Sequence, residues 1–310
     1  MKKIISILMS SVIIFLSASS FGYGMEKVDV KSNYEVENVV YKKVESKNLS
    51  LDIYFPVQNQ KEKTPVVIYF HGGSWVSGDK GDMNKYFSSV VSKLRAQGIT
   101  VISANYRLFG EKGNYMMENM ASDAKDTIKW VRKNAQKYGL DEENISLWGD
   151  SAGGHLALLA GMSKDDEFVG DQSLIGVSSK VKSIVAYYPP TDLEMLKKDL
   201  KEGKLNGVKG VPKDIEKFSD LNIKFPSPID YIKGEDIPKI LIIHGTKDKL
   251  VNIAQSREFL EKSKMLGIQN VKLVEVENGS HGPTSIKNID NKPSYKDIVD
   301  MTEEFVVQSF

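Results

Sequence analysis

At residues 147–155 the chain reads Leu147-Trp148-Gly149-Asp150-Ser151-Ala152-Gly153-Gly154-His155, between a strand-like run and an apolar helical run. Gly149, Ser151 and Gly153 in this stretch form the pattern G-x-S-x-G. Between a strand and a helix, that pattern predicts a nucleophile elbow, a sharp turn that raises a serine hydroxyl above the sheet edge. Glycines are expected on either side because a Cβ there would strike the neighbouring strand and helix.

Strand-like and helix-like segments alternate on both sides of this elbow. Alternating or continuous apolar runs predict strands at 34–44, 49–55, 66–70, 100–103, 181–188, 240–243 and 271–276. Apolar residues at helical spacing predict helices at 83–94, 120–139, 253–266 and 298–305. Two opening strands followed by strand–helix alternation predict an α/β fold, a mostly parallel sheet with helices on both faces.

Residues 191–235 interrupt the alternation, because they contain no strand-like run and many lysines. Leu193, Leu196 and Leu200 predict one short amphipathic helix in this segment. We interpret the segment as a small cap inserted between two strands. The alternative is a solvated loop without a role in function.

A serine hydroxyl needs an adjacent base to act as a nucleophile at neutral pH. The sequence contains four histidines, and three of them have other expected places: a glycine-rich turn, the elbow helix and a position packed against Gly245 (His71, His155 and His244). His281 lies in a loop after the last predicted strand, where parallel-sheet enzymes carry their chemistry. His281 is therefore the predicted base, and a purely structural loop histidine is the alternative.

The acid that orients this histidine is expected on another loop at the same sheet edge. Asp248 follows the strand at 240–243 and gives the chain order Ser…Asp…His expected for such an architecture. Asp192 also follows a strand and is the alternative, although it opens the cap. Asp150 directly precedes the serine, and its expected role is to complement the dipole of the elbow helix.

Backbone N–H groups near the serine are predicted to bind the negative charge that forms on an attacked carbonyl. One donor is Ala152, and the second is Gly72 or Gly73 in the segment 71–75, which follows a predicted strand. An ordinary tight turn is the alternative for this segment. The sequence alone does not show which of the two glycines is the second donor.

Four segments resemble the α/β-hydrolase esterases of the hormone-sensitive-lipase-like group: His71-Gly72-Gly73-Ser74-Trp75, Asn105-Tyr106-Arg107-Leu108, Gly149-Asp150-Ser151-Ala152-Gly153-Gly154 and His244-Gly245-Thr246-Lys247-Asp248. The chain is most similar to secreted bacterial esterases of the acetyl-xylan or feruloyl type. It departs from the group at Ser74, where a third glycine is usual, and at 108–110, where Ser-Pro-Glu is common. The resemblance implies an α/β-hydrolase fold and ester hydrolysis through an acyl-enzyme.

The expected substrate is a short-chain ester of a small molecule or of plant polysaccharide. Trp75, Tyr106 and Tyr188 are predicted to stack against a sugar or phenolic ring, with a place in the core as the alternative. A prolyl-oligopeptidase-like peptidase and a catalytically silent binding protein are the other functions considered. A peptidase of that type usually has a propeller domain, for which no repeated strand pattern exists here.

Bulk composition narrows the expected partners. The 310 residues suffice for one large domain, and a formal net charge of +1 argues against a nucleic-acid partner. With no cysteine and four histidines, no metal site or cofactor is expected. No stable membrane partner is expected either.

The amino terminus has the pattern of a secretory signal peptide. Lys2 and Lys3 precede an apolar run at 4–16, which is short for a membrane span. We therefore expect a signal peptide at 1–22, and a secreted hydrolase domain at 23–310.

Sequencing the amino terminus of protein recovered from culture medium tests this expectation. The mature chain should begin between Ser19 and Met25. Recovery of full-length chain in the membrane fraction alone would instead support the alternative, an uncleaved amino-terminal anchor.

Overall fold

The computed structural model describes residues 35–45, 47–58, 62–111, 115–205, 225–234 and 237–310. The expected signal peptide and residues 206–224 and 235 of the expected cap lie outside this part of the chain. No helix within the described ranges is both long and apolar enough to cross a membrane.

The strands, numbered along the chain, are β1 (Glu35–Val44), β2 (Lys47–Tyr54), β3 (Thr64–Phe70), β4 (Thr100–Ala104), β5 (Leu140–Asp150), β6 (Ser183–Tyr187), β7 (Lys239–Gly245) and β8 (Val271–Val276). They form one sheet in the order β1-β2-β4-β3-β5-β6-β7-β8. β2 runs antiparallel to β1 and β4, and the strands from β3 to β8 are parallel to one another. The predicted mostly parallel sheet is therefore confirmed.

The helices are α1 (Asp82–Ala96), α2 (Met117–Lys133), α3 (Ala135–Tyr138), α4 (Ala152–Met162), α5 (Leu193–Lys201), α6 (Ala254–Met265) and α7 (Tyr295–Val307). Short 3₁₀ turns occur at Gln172–Leu174 and Pro228–Tyr231. The continuous helix predicted for 120–139 is wrong, because Asn134 separates α2 from α3 with φ −105° and ψ 8°. The side-chain amide of Asn134 donates to the carbonyl of Trp130 at 2.9 Å, a local bond that competes with helix continuation.

Side chains of the central strands alternate between two cores, one on each face of the sheet. On β3, Val66, Ile68 and Phe70 pack with α2, α4 and α6, whereas Val67 and Tyr69 pack with α1 and α7. Because β3 to β8 are parallel, their carboxyl ends meet at one edge of the sheet. The elbow and the loops that carry the predicted site residues all follow strands at this edge.

A buried set of ion pairs fastens the first strand and the loop after β4 to α2. Lys42 on β1 lies 2.6 Å from both Asp123 and Asp126 on α2. Arg107 donates to Asp123 through Nε at 2.7 Å and Nη2 at 2.6 Å. Two cations and two carboxylates balance one another, so the loss of either cation would leave an uncompensated buried charge. The network fixes the loop that also carries Tyr106.

Candidate active site

The backbone at Ser151 has the strained geometry of a nucleophile elbow, with φ 50° and ψ −119°. It directly follows β5 and precedes α4, and its N–H donates to the Tyr187 carbonyl at 2.8 Å. A Cβ on Gly153 would lie 1.9 Å from the Phe70 oxygen, and one on Gly149 would lie 2.4 Å from the Gly153 carbonyl. Both positions therefore require glycine, as the sequence pattern predicts.

The structure places Ser151, His281 and Asp248 in one hydrogen-bonded chain. Nε2 of His281 lies 3.0 Å from Oγ of Ser151, and Nδ1 lies 2.7 Å from Oδ2 of Asp248. Asp192, the alternative acid, instead caps α5, where its carboxylate accepts from two backbone N–H groups at 2.9 and 3.1 Å. The arrangement has the geometry that a nucleophile, a base and an orienting acid require.

Four donors surround the carboxylate of Asp248. Oδ1 accepts from the N–H groups of Leu250 and Val251, each at 2.9 Å. Oδ2 accepts from His281 and lies 3.3 Å from Nε2 of His244. Burial alone would raise the pKa of Asp248, but hydrogen bonds from His244 and His281 hold it below its ordinary value. The carboxylate is therefore ionised near neutral pH.

His244 does more than the sequence predicts for it. From the sequence it is expected only to pack against Gly245, whereas in the structure both of its ring nitrogens have polar partners. Nδ1 lies 2.7 Å from Oγ of Ser256, and Nε2 lies 2.9 Å from the Val251 carbonyl. The sequence feature that could have indicated this role is the position of His244 at the end of a buried strand, four residues before Asp248.

Asp150 is the second buried carboxylate of the site, and the sequence did not predict its partners. It accepts from the hydroxyl of Tyr69 at 2.6 Å, the N–H of Gly72 at 2.9 Å and the hydroxyl of Tyr188 at 3.2 Å. Burial raises the pKa of Asp150 above its ordinary value. Beyond the expected interaction with the helix dipole, this side chain ties the elbow to the segment 71–75.

The hydrogen bond to Asp150 distinguishes Gly72 from Gly73, which the sequence could not do. The N–H of Gly72 is bonded to Asp150, so the prediction of Gly72 as an oxyanion donor is wrong. In the described part of the chain, the N–H groups of Gly73 and Ala152 have no acceptor. These two groups remain available to an oxygen bound beside Ser151.

Three consecutive residues of the glycine-rich segment have left-handed backbone conformations. Gly73, Ser74 and Trp75 have φ angles of 119°, 51° and 62°. Ser74 stands where the resembling esterases have a third glycine, and a non-glycine residue there costs about 1–2 kcal/mol. The N–H of Phe109 donates to the Trp75 carbonyl at 2.7 Å and helps to hold the segment in this conformation.

The three aromatic residues predicted to bind substrate are all at most 2% exposed. Tyr106 stacks on His71 with ring centroids 4.3 Å apart and donates its hydroxyl to the His71 carbonyl at 2.7 Å. Tyr188 contacts the His281 ring at 4.8 Å and donates to Asp150. These contacts do not support stacking of Tyr106 or Tyr188 on a substrate, since both side chains, like Trp75, are enclosed by protein. They support the loops around Ser151.

A nucleophile elbow beside a hydrogen-bonded Ser–His–Asp chain, at the carboxyl edge of a mostly parallel sheet, defines the α/β-hydrolase class. The BD-FAE family model matches residues 51–263, and the chain belongs to that family. Its relatives place it among the α/β-hydrolase esterases of the hormone-sensitive-lipase group.

Two of the curated relatives illustrate the similarity. Esterase LipC of Mycobacterium tuberculosis is 28% identical over 234 residues, which are 75% of this chain and 56% of LipC. The isoprenylcysteine alpha-carbonyl methylesterase ICME of Arabidopsis thaliana is 26% identical over 70% of this chain and 50% of its own length. The chain thus spans about half the length of the curated relatives it matches.

Solved structures match over more of their length. Thermogutta terrifontis esterase 2 with bound butyrate has a TM-score of 0.70 and 28% identity, covering 89% of this chain and 94% of that chain. The same esterase phosphoramylated by tabun has a TM-score of 0.69 and 26% identity over the same shares.

Replacing Asp150 tests its support of the segment 71–75. Asp150→Ala leaves the Gly72 N–H and the Tyr69 hydroxyl without an acceptor, so we expect stability to fall by about 1–3 kcal/mol. If the Gly73 N–H is an oxyanion donor as predicted, loosening of the segment 71–75 should also lower kcat for a small ester by roughly tenfold to a hundredfold. Urea unfolding and steady-state kinetics measure the two effects. Asp150→Asn retains an acceptor oxygen and should lose less of both, whereas an unchanged kcat in Asp150→Ala would contradict this role.

Proposed function

We propose that the protein is a serine esterase that hydrolyses short-chain carboxylic esters through an acyl-enzyme. The observation that carries this proposal is the contact of His281 with both Ser151, at 3.0 Å, and Asp248, at 2.7 Å. Relatives named as esterases and carboxylic ester hydrolases support the same class of reaction.

In the first half of the reaction, Oγ of Ser151 attacks the ester carbonyl while Nε2 of His281 takes the hydroxyl proton. The new negative charge on the carbonyl oxygen is bound by the N–H groups of Gly73 and Ala152. Asp248, ionised and bonded to Nδ1, stabilises the imidazolium that forms. Collapse of the tetrahedral intermediate breaks the ester C–O bond, and Nε2 returns the proton to the departing alcohol.

In the second half, water attacks the acyl-enzyme. His281 takes a proton from this water, and the same backbone N–H groups bind the second tetrahedral intermediate. Its collapse releases the carboxylic acid and returns the proton to Oγ of Ser151. The burial of Asp248 keeps its charge from water and makes its interaction with the imidazolium stronger than it would be at the surface.

Two observations support a short acyl chain. The apolar stripe of α5 is occupied, because Leu193 and Leu196 are buried and Leu200 packs against the same core. Three leucines are about what is needed to seat the helix on the protein, whereas a lipase lid usually presents a broad apolar surface. Esterase 2 of Thermogutta terrifontis has been described with butyrate and with propionate bound, both short-chain acids.

The proposal also includes the acyl group of the natural substrate and the export of the protein from the cell. Acetyl or feruloyl groups on plant polysaccharide are esters of the proposed class, and a secreted enzyme would meet them outside the cell. The pattern of Lys2, Lys3 and the apolar run at 4–16 supports export. Release of acetate from acetylated xylan, or of ferulate from feruloylated polysaccharide, distinguishes the two acyl groups.

The triad is tested by three replacements and a covalent probe. We expect Ser151→Ala to lower kcat by roughly four to six orders of magnitude, and a fluorophosphonate to label Ser151 alone. Asp248→Asn should lower kcat by about 10⁴-fold, because the imidazole loses its correct tautomer.

Asp192→Asn is the matched control, since it weakens the cap of α5 at a cost of about 1 kcal/mol or less and should keep nearly full activity. Labelling that persists in Ser151→Ala would exclude this nucleophile. A larger loss in Asp192→Asn than in Asp248→Asn would move the acid to the segment after β6.

Acyl-chain length is tested with acetate, butyrate and palmitate esters of one alcohol. We expect kcat/KM for acetate and butyrate to exceed that for palmitate by about tenfold or more. Emulsified long-chain triglyceride should be a poor substrate. A preference for palmitate, or a rise in rate above the solubility limit of the ester, would show that the segment 191–235 acts as a lipase lid.

A further inference from the structure

A second histidine lies against the carboxylate oxygen that holds the predicted base. Nε2 of His244 is 3.3 Å from Oδ2 of Asp248, and Nδ1 of His281 is 2.7 Å from the same atom. The side chains of His244 and Asp248 are both fully buried. At 3.3 Å the contact is long for a hydrogen bond, but the low dielectric of a buried site strengthens the attraction of the ring N–H for an ionised carboxylate.

The partners of the His244 ring determine which nitrogen carries its hydrogen. Nε2 also lies 2.9 Å from the carbonyl of Val251, which can only accept, so Nε2 must be the donor. Oδ2 of Asp248 lies 3.3 Å from the same nitrogen. In the neutral ring, Nδ1 accepts from the hydroxyl of Ser256 on α6 at 2.7 Å. With both nitrogens bonded, the ring has one defined orientation.

The turn that carries Asp248 is fixed from two directions. Inside the turn, Oδ1 of Asp248 accepts from Leu250 and Val251. From outside it, Nε2 of His244 donates to the Val251 carbonyl at 2.9 Å and lies 3.3 Å from Oδ2. Because His244 lies on β7 and is paired through Ser256 to α6, it connects the carboxylate to two core elements.

We propose that His244 is a positioning residue for the proposed esterase reaction. It holds Oδ2 of Asp248 in line with Nδ1 of His281 and takes up part of the carboxylate charge. His281 is thereby kept in the tautomer whose Nε2 can accept the proton of Ser151. The proposal rests on the proposed function, because the three residues that His244 supports are those assigned to the triad.

The consequences differ from those of an ordinary core contact. His244 is buried, so its loss should lower kcat and leave KM nearly unchanged. An Asp248 carboxylate whose charge is no longer shared should bind the imidazolium more tightly. The acidic limb of kcat/KM should then move to higher pH. Glu275 faces His244 from β8, but it is paired with Arg257 at 2.6 Å, and both are partly exposed.

Two replacements of His244 separate its hydrogen bond from its volume. His244→Phe keeps a ring and removes the donor, and we expect kcat to fall by roughly tenfold to a hundredfold, since a carboxylate displaced by about 1 Å misplaces the base. The acidic limb should shift upward by about half a pH unit. His244→Gln carries an amide that reaches the position of Nε2, and it should recover kcat to within about fivefold of the original protein.

The concentration of active enzyme is measured by titrating Ser151 to completion with a fluorophosphonate. Rates are expressed per reactive serine, so that unfolded molecules are excluded from kcat. Ser263→Ala is the matched control, because this buried serine lies on α6 like Ser256, and within the described part of the chain its hydroxyl donates only to the carbonyl of Phe259, at 2.9 Å. It should lower stability and leave kcat and the pH profile unchanged. His244→Phe should differ from it in both kinetic readouts.

An unchanged kcat per titrated serine in His244→Phe would overturn the proposal. So would equal losses in the Phe and Gln variants without a shift of the acidic limb, because these would reflect packing alone. Failure of the unmodified protein to react at Ser151 is a different result. It would contradict the proposed function itself, whatever the His244 variants show.

Discussion

The close approach of α4 to the end of β3 is the constraint on which the site depends. A Cβ at Gly153 would lie 1.9 Å from the Phe70 oxygen, so no other residue fits between the helix and the strand. Phe70 is also paired with Gly149 across the two neighbouring strands. The segment that follows β3 must therefore run beside the residue that follows β5. Two glycines thus place the start of the segment 71–75 against the elbow, before any polar contact is considered.

Two carboxylates buried around this turn differ in their electrostatics because they have different donors. Burial raises the pKa of both, and for Asp150, with two neutral phenols and one N–H, the raised value persists. For Asp248, the hydrogen bonds of two imidazoles reverse the effect and hold the pKa below its ordinary value. An acid that must face an imidazolium has to stay ionised, so Asp248 suits that task. Asp150 is suited to accept hydrogen bonds that hold the backbone of 71–75 in place.

Sequence patterns predicted what local residues determine. Three features are visible along the chain: the two-residue period of the strands, the small residues around Ser151, and the order of Asp248 and His281. Because the chain has four histidines, the other three could be considered one by one. What the sequence could not predict depends on residues far apart. Whether Gly72 or Gly73 keeps a free N–H is decided by a carboxylate 78 positions later. The burial of the aromatic side chains likewise follows from the packing of loops, which the periodicity of apolar residues does not reveal.

The supports on the two sides of Ser151 are anchored in different parts of the core. On one side, Arg107 and Asp123 fix the loop after β4, from which Tyr106 stacks on His71. On the other, His244 and Ser256 fix the turn after β7. Groups that share no partner contribute nearly independently to stability.

Tyr188 connects the two sides, since its hydroxyl donates to Asp150 while its ring contacts His281. Its φ of 38° is strained for a tyrosine, and the bond from its N–H to Ile243 at 2.7 Å holds it there. The loop after β6 thus contributes the side chain that links Asp150, and through it the segment 71–75, to His281.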